Sequence, residues 1–143
     1  MEHNIKTIWK NNMAFDSQID NHNIRIDAGG NSGNDTGPSP KKLLLASLAG
    51  CTGMDVVSLL KKMRVNFLNF EIDIHADLTT EHPKVYSEIR IIYRIFGNHL
   101  DKNKIKKAID LSQEKYCGVS AMLKKNSPIN YSIEYVETKT LVS

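Results

Sequence analysis

The feature that most constrains the fold of this chain is one long apolar segment that starts at a proline and ends in basic residues. Ser39 and Pro40 are typical of a helix start, because a serine hydroxyl caps the first turn and proline has no N–H to leave unpaired there. Over residues 43–63, apolar side chains occupy nearly every side, and Asp55 is the one charge away from the end. We therefore predict a central helix over 40–64 that is buried in the middle of the fold or at a subunit interface.

Alternation of apolar and polar residues predicts strands on both sides of this helix. Residues 4–27 fit a β-meander with a turn at residues 21–23, and the segment 28–39 is a glycine- and proline-rich loop. A period of two over residues 70–78 and again over 87–96, with a loop between them, predicts a hairpin of antiparallel strands over 66–97, and 129–137 predicts a last strand.

Helical periodicity returns over residues 101–125, where Asp101 is a candidate cap and Ile105, Ala108, Ile109 and Ser112 share one face. A length of 143 residues suits one domain, so we predict a single α+β domain over 1–143.

Composition excludes several classes of function. The chain is 41% hydrophobic and 24% charged with a net charge of +3, and its basic residues are spread rather than clustered, so no nucleic-acid partner is predicted. No stretch approaches the 18 or more apolar residues of a membrane span, and the N-terminus lacks the apolar core of a signal peptide. We expect a cytoplasmic protein without a membrane partner.

Two further absences concern cofactors. The five histidines show no ligand spacing with each other or with the cysteines, so no metal is predicted. The glycines of the loop are not followed by the Gly-Lys-Ser/Thr of a phosphate loop, so no nucleotide is predicted.

Cys51 lies inside the predicted central helix and is flanked by Gly50 and Gly53. Each glycine costs a helix interior roughly 1 kcal/mol relative to alanine, which calls for a reason. Small neighbours allow a substrate or another backbone to approach the sulfur. The alternative is an inert cysteine between glycines that serve helix packing, since free cysteine is among the most buried residue types.

Cys117 lies at a predicted break between two helices, close to the start of the second one. Unpaired N–H groups at a helix start lower a thiol pKa, and Lys115 adds positive charge. The alternative is a buried cysteine that closes a helix corner.

Two segments resemble the signatures of the OsmC family. Residues 39–64, SPKKLLLASLAGCTGMDVVSLLKKMR, are similar to the central helix that carries the reactive cysteine, and residues 110–125, DLSQEKYCGVSAMLKK, are similar to the second signature, in which Tyr-Cys precedes a short apolar helix. Their order and separation also resemble the family, and the resemblance covers most of the chain.

This resemblance implies an OsmC-like fold, in which antiparallel sheets pack around long central helices and two chains intertwine as a homodimer. It also implies a peroxidase of oxidative-stress defence, in which Cys51 attacks an organic hydroperoxide and becomes a sulfenic acid. Cys117 then forms a disulfide with it, which an external dithiol, such as a lipoyl group, reduces without a bound cofactor. A pocket lined by Leu48, Gly50, Gly53, Met54 and Met122 would hold the peroxide.

The chain departs from the family at the group that activates the thiolate. A glutamate after the helix proline and an arginine in the preceding loop are expected, but Lys41 and Lys42 follow Pro40 and the loop has no arginine. Because Asp55 lies one turn beyond Cys51, its charge disfavours a thiolate, and a cation is needed. Lys41 and Lys42 of a partner chain, or Arg25, are the candidates.

The same departure supports a second interpretation, a weakly catalytic or non-catalytic dimer that binds a small apolar or electrophilic ligand. A third, a purely structural dimer, does not account for the glycines beside Cys51.

Overall fold

In a computed structural model of the protein, residues 1–138 are described. They form two compact units, the first over Met1–Ala46 and the second from Ser47 onward. The helix α1 (Pro40–Lys62) begins in the first unit and continues into the second. It ends two residues before the predicted boundary.

The first unit contains an antiparallel meander of three strands, β1 (Lys6–Asn11), β2 (Ala14–Ile19) and β3 (His22–Ile26), paired in that order. Asn12 and Asp20 take positive φ values of 48° and 53° at the two turns, a conformation that asparagine and aspartate tolerate better than other side chains. The second turn therefore precedes His22, which pairs with Ile19 at the start of β3. The predicted turn at residues 21–23 was placed too late in the chain.

The second unit contains a sheet in the order β4 (Asn69–Leu78), β5 (Tyr86–Gly97) and β6 (Ile129–Glu137). The antiparallel pair β4–β5 forms the predicted hairpin, whereas β6 pairs with β5 in parallel. A parallel neighbour requires a long crossover connection, and the helical segment between β5 and β6 supplies it.

That crossover consists of α2 (Lys102–Leu111), a π-helical turn (Ser112–Tyr116, called the π-turn below) and α3 (Gly118–Lys124). The side chain of Asp101 accepts a hydrogen bond of 3.1 Å from the N–H of Lys104, which is the predicted helix cap.

The core of the second unit lies between the central strand and the helices. Its fully buried side chains come from β5, α2 and one stripe of α1: Leu48, Val56, Leu60, Ile89, Ile91, Tyr93, Ile95, Ile105, Ala108 and Ile109. Every second residue of β5 from Ile89 to Ile95 contributes, as the alternating pattern predicts. The α+β class predicted from the sequence is confirmed.

Within this chain, α1 buries only a stripe of residues four apart, Leu48, Thr52, Val56 and Leu60. Other apolar side chains of the helix are open, and Met54 is 76% exposed. By length and composition alone α1 is apolar enough to cross a membrane, and 22% of that stretch is buried. The expectation that no segment approaches a membrane span was wrong in this respect, because it counted uninterrupted apolar residues rather than average hydropathy. Within this chain, the apolar side of α1 opposite the buried stripe is therefore exposed.

Candidate functional site

The site is built around the two cysteines, which the fold brings together. Cys51 lies on α1 beside the buried stripe and is half-buried, whereas Cys117 caps the start of α3 and is 3% exposed. The Sγ atoms of both cysteines and a carboxylate oxygen of Asp55 all lie within 4.8 Å of one another. Asp55 reaches the pair because it follows Cys51 by one helical turn.

The π-turn determines where Cys117 lies. The N–H of Cys117 donates a 2.7 Å hydrogen bond to the carbonyl of Ser112, and the residue is then extended, with φ −74° and ψ 101°. Its Sγ accepts a hydrogen bond of 3.4 Å from the N–H of Ser120. The thiol thereby occupies the place of a helix cap side chain and is held toward α1.

Burial raises the pKa of the Cys117 thiol above its ordinary value. The hydrogen bonds from Ser120 act in the opposite direction, and the neighbouring Cys51 adds to the increase. The lowered pKa predicted for Cys117 from its position at a helix start was therefore wrong. The loss of hydration on burial raises the pKa of Cys117 by more than the small dipole of the short helix α3 lowers it.

A chain of buried hydroxyl groups runs from β5 through α1 to the π-turn. The Thr52 hydroxyl lies 2.7 Å from the Tyr93 hydroxyl and 2.7 Å from the Ser112 hydroxyl. Ser112 Oγ in turn donates to Asp55 Oδ2 at 3.0 Å. All three hydroxyl residues have no exposed surface.

The direction of the hydrogen bonds in this chain follows from counting protons. A hydroxyl has one proton to donate, and Ser112 gives its proton to the carboxylate, which only accepts when ionised. Thr52 must then donate to Ser112, and Tyr93 must donate to Thr52. We call this series, Tyr93 to Thr52 to Ser112 to Asp55, the donor chain. The three hydroxyl dipoles of this chain all point toward the carboxylate beside the cysteines.

Gln113 and Ser120 complete the network on its other side. The Gln113 amide donates to Tyr93 Oη at 2.8 Å and to Thr52 Oγ1 at 3.3 Å. Its carbonyl oxygen accepts from Ser120 Oγ at 3.2 Å. The residue whose N–H binds the Cys117 sulfur is thus also joined to the start of the donor chain.

Three of the predicted pocket residues, Gly50, Gly53 and Met54, line a groove of about 690 Å³ together with Phe70 and Ile72 of β4. A Cβ added at Gly53 would meet Ile72 Cδ1 at 3.1 Å, whereas one added at Gly50 would meet nothing within 4 Å.

The other two predicted pocket residues do not line this groove within residues 1–138. Leu48 is fully buried in the core, and Met122 on α3 is 67% exposed.

The candidate cations lie in the first unit. Lys41 and Lys42 are exposed in the first turn of α1. Arg25 forms an ion pair with Asp16 and donates to Thr36 Oγ1 at 3.2 Å. A role for any of the three beside Cys51 stays a prediction.

One cation of the second unit was not predicted from the sequence. Lys124 Nζ donates to the backbone carbonyl of Gln113 at 2.6 Å, which joins α3 to the π-turn.

A cysteine on the central helix and a second cysteine after a helical break meet beside a β-β-α-β unit, and this arrangement defines the class of fold. Residues 32–132 match the family model described as OsmC-like protein. The chain belongs to the OsmC-like protein family.

One relative and two solved structures illustrate the similarity. Protein YhfA of Escherichia coli K12 is 35% identical over 129 residues, which cover 90% of this chain and 94% of the relative. The crystal structure of a hypothetical protein from Aquifex aeolicus VF5 superposes with a TM-score of 0.81 at 29% identity, covering 94% of this chain and 98% of that one. The organic hydroperoxide resistance protein OhrB of Bacillus subtilis gives a TM-score of 0.67 at 16% identity over 94% and 98% of the two chains, a likeness of fold alone.

Proposed function

We propose that this protein is a thiol-dependent reductase of organic hydroperoxides, in which Cys51 attacks the peroxide and Cys117 resolves the product. The observation that carries the proposal is the approach of the two sulfurs to within 4.8 Å across a large sequence separation. A disulfide needs a separation of about 2.0 Å, so side-chain rotation with a small movement of α3 would close the bond.

The proposed reaction has three balanced steps. The Cys51 thiol first releases its proton to solvent, and the thiolate attacks the terminal oxygen of the O–O bond, which breaks. The sulfur keeps that oxygen and its hydrogen as a sulfenic acid, and the leaving alkoxide takes up the released proton and becomes an alcohol. The Cys117 sulfur then attacks the Cys51 sulfur, and the sulfenic hydroxyl leaves as water with the Cys117 proton. An external dithiol, for which a lipoyl group is our candidate, reduces the disulfide and is itself oxidised to a disulfide.

The different burial of the cysteines supports this assignment. Cys51 is the more accessible of the two, and a peroxide must reach the attacking sulfur. Cys117 is buried and its pKa is raised, which suits a thiol that stays protonated until the sulfenic acid forms beside it.

Asp55 is our candidate for the acceptor of the Cys117 proton. Its carboxylate lies within 4.8 Å of both sulfurs and is oriented by Ser112. A base at this position assists the second step, in which a protonated thiol must become a nucleophile. The same charge disfavours a thiolate at Cys51, so we propose that Lys41, Lys42 or Arg25 supplies a compensating cation in the assembled protein.

We further propose a homodimer in which a second copy covers the open side of α1. The exposed Met54, the empty space above Gly50 and the apolar groove support a close approach there. The same apolar surroundings favour an organic hydroperoxide over hydrogen peroxide. The name of OhrB, an organic hydroperoxide resistance protein of similar fold, agrees with this substrate class. A cytoplasmic location suits a chemistry that needs both cysteines reduced.

The test is a single-turnover reaction of reduced protein with a slight excess of cumene hydroperoxide, followed by counting free thiols. The wild type should lose both thiols and form an intramolecular disulfide. Cys117→Ser should stop at one sulfenic acid per chain, trapped with dimedone, and Cys51→Ser should not react. If both thiols of folded wild-type protein survive, the proposal is wrong.

The position of lysines where the family signature has a glutamate favours a second candidate, a dimer that binds a small apolar ligand without turnover. The groove beside Met54 would be its binding site. Survival of both thiols together with saturable binding of an apolar fluorescent probe, lost in Met54→Asp, would support this candidate.

A further inference from the structure

We infer that the reduced site is also a binding site for a thiophilic divalent metal ion, of which Zn²⁺ is the representative, held by Cys51, Asp55 and Cys117. The three ligand atoms already converge to within 4.8 Å of one another from two separate helices. Binding of a metal does not require peroxide chemistry, and therefore goes beyond the proposed reductase.

The spacing of the ligand atoms suits a tetrahedral ion. With metal–sulfur bonds of about 2.3 Å, two thiolates on one zinc ion lie about 3.8 Å apart, and a carboxylate oxygen lies at a similar distance. The ligand atoms lie at most 4.8 Å apart, so they need to approach one another by no more than about 1 Å. Small rotations of the side chains are enough for such a movement. Two sulfurs and one oxygen also match the preference of Zn²⁺ and Cd²⁺ over Mg²⁺ and Ca²⁺.

Neighbouring groups hold the ligands in place, as the outer partners of metal ligands do in zinc proteins. Ser112 Oγ donates to the carboxylate of Asp55 at 3.0 Å and is itself fixed by the buried donor chain. The N–H of Ser120 points at the sulfur of Cys117 at 3.4 Å. These hydrogen bonds leave a second carboxylate oxygen of Asp55 for the metal.

Exposure determines what kind of metal site this is. Cys51 and Asp55 are half-buried, so an ion would be reached from solvent and would keep its fourth position for water. A three-ligand site of this kind exchanges its metal rather than serving as a fixed structural element. Since both thiols would be bound as thiolates, the ion would block attack on peroxide and disulfide formation together. This inhibitory consequence rests on the proposed function, whereas the binding does not.

The experiment is a titration of fully reduced, metal-free protein with Zn²⁺ by calorimetry, in the absence of peroxide. Co²⁺ serves as a second probe, because its absorption bands report thiolate ligation and tetrahedral geometry. We expect one ion per chain and a thiolate-to-Co²⁺ charge-transfer band. Cys51→Ser and Cys117→Ser should each abolish that band or weaken binding at least about 100-fold, beyond the 10- to 100-fold cost of losing an outer partner.

Asp55→Asn is the decisive variant, because the amide can still accept the Ser112 hydrogen bond but is a poor metal ligand. It should weaken Zn²⁺ binding at least about tenfold. The matched control is Glu114→Gln, which removes one exposed negative charge three residues before Cys117 without touching the three ligands. The control should bind as the wild type does.

Three results would overturn the inference: no binding to the reduced wild type, equal binding by the cysteine variants, or equal binding by Asp55→Asn. The second result would place the ion away from the two cysteines. Peroxide consumption by metal-free protein is measured separately, so a failed reductase leaves the metal result intact, and a failed metal titration leaves the reductase intact.

Discussion

Ser112 donates a 3.0 Å hydrogen bond to Asp55 and thereby joins the π-turn to the central helix at the position where the two cysteines meet. The two residues are far apart in sequence: Asp55 lies in α1 and Ser112 lies in the π-turn. The bond ends the donor chain that starts at Tyr93, so the orientation of the carboxylate depends on a buried strand residue. This coupling makes the polar network testable by single substitutions.

Ser112→Ala should destabilise the protein by about 1–3 kcal/mol, because the buried Thr52 hydroxyl loses its acceptor and the Asp55 carboxylate loses its hydroxyl donor. Urea unfolding measures the change. Ser58→Ala is the control, an exposed serine on α1, and should change the free energy of unfolding by less than about 0.5 kcal/mol. Equal effects of the two substitutions would contradict the role given to Ser112.

Tyr93→Phe removes the first donor of the chain and should also cost about 1–3 kcal/mol of unfolding free energy. The aromatic ring remains, so packing against Phe70 and Tyr131 is kept. Tyr116→Phe removes the same atom from a ring that is 50% exposed and should be nearly neutral. If both variants unfold at the wild-type midpoint, the Tyr93 hydroxyl contributes nothing to stability.

Titration of Tyr93 should lower the free energy of unfolding at alkaline pH. Burial raises the pKa of Tyr93 from 10.0 to about 12. The folded state favours the neutral phenol, so this contribution is fully present below pH 10 and is lost as the pH rises toward 12. The difference of about two between the pKa values of the folded and unfolded states corresponds to a change of at most about 2–3 kcal/mol in the free energy of unfolding. The stability difference between the wild type and Tyr93→Phe should therefore shrink between pH 10 and 12. A constant difference across this range would show that the phenol titrates normally.

The raised pKa of Cys117 should determine how disulfide formation in the proposed reductase depends on pH. Because burial raises its pKa above the ordinary 9.0, the reactive thiolate is scarce at neutral pH. The rate at which the Cys51 sulfenic acid disappears should rise with pH through neutrality and still be rising at pH 9. Stopped-flow measurement of the single turnover, with Cys117→Ser to give the rate of side reactions, provides the profile. A plateau below pH 8 would mean that the thiol is activated rather than suppressed.

The backbone plan was predictable because it follows from periodicity. The period of two over residues 70–78 and the cap at Asp101 are local signals, and they reappear as β4 and as the start of α2. The parallel pairing of β6 with β5 was not predictable, since register between distant strands depends on tertiary packing. The meander turn was misplaced because two adjacent polar residues, Asp20 and Asn21, are both suited to a turn.

The site was predictable only in part. The cysteines were found from glycines and a helix break, but their proximity and the raised pKa of Cys117 depend on burial in three dimensions. One signal was available for the donor chain: Ser112 falls on the apolar face of its helix, where a lone hydroxyl requires a buried partner. Tyr93 gave no such signal, because tyrosine is common on a strand facing a core.

Gly50→Ala tests whether a second copy covers α1. Within one chain the added methyl group meets no atom within 4 Å, and alanine is the better helix former by roughly 1 kcal/mol, so the isolated fold should gain stability. In the proposed dimer the same methyl group enters a close backbone contact and should weaken association at least about tenfold, equivalent to about 1.4 kcal/mol. Sedimentation equilibrium measures the dissociation constant. Gly118→Ala is the matched control, since its methyl group also meets no atom within 4 Å and it lies on α3. If both variants dimerise as tightly as the wild type, or if the wild type is a monomer, the second copy does not lie on this side of the helix.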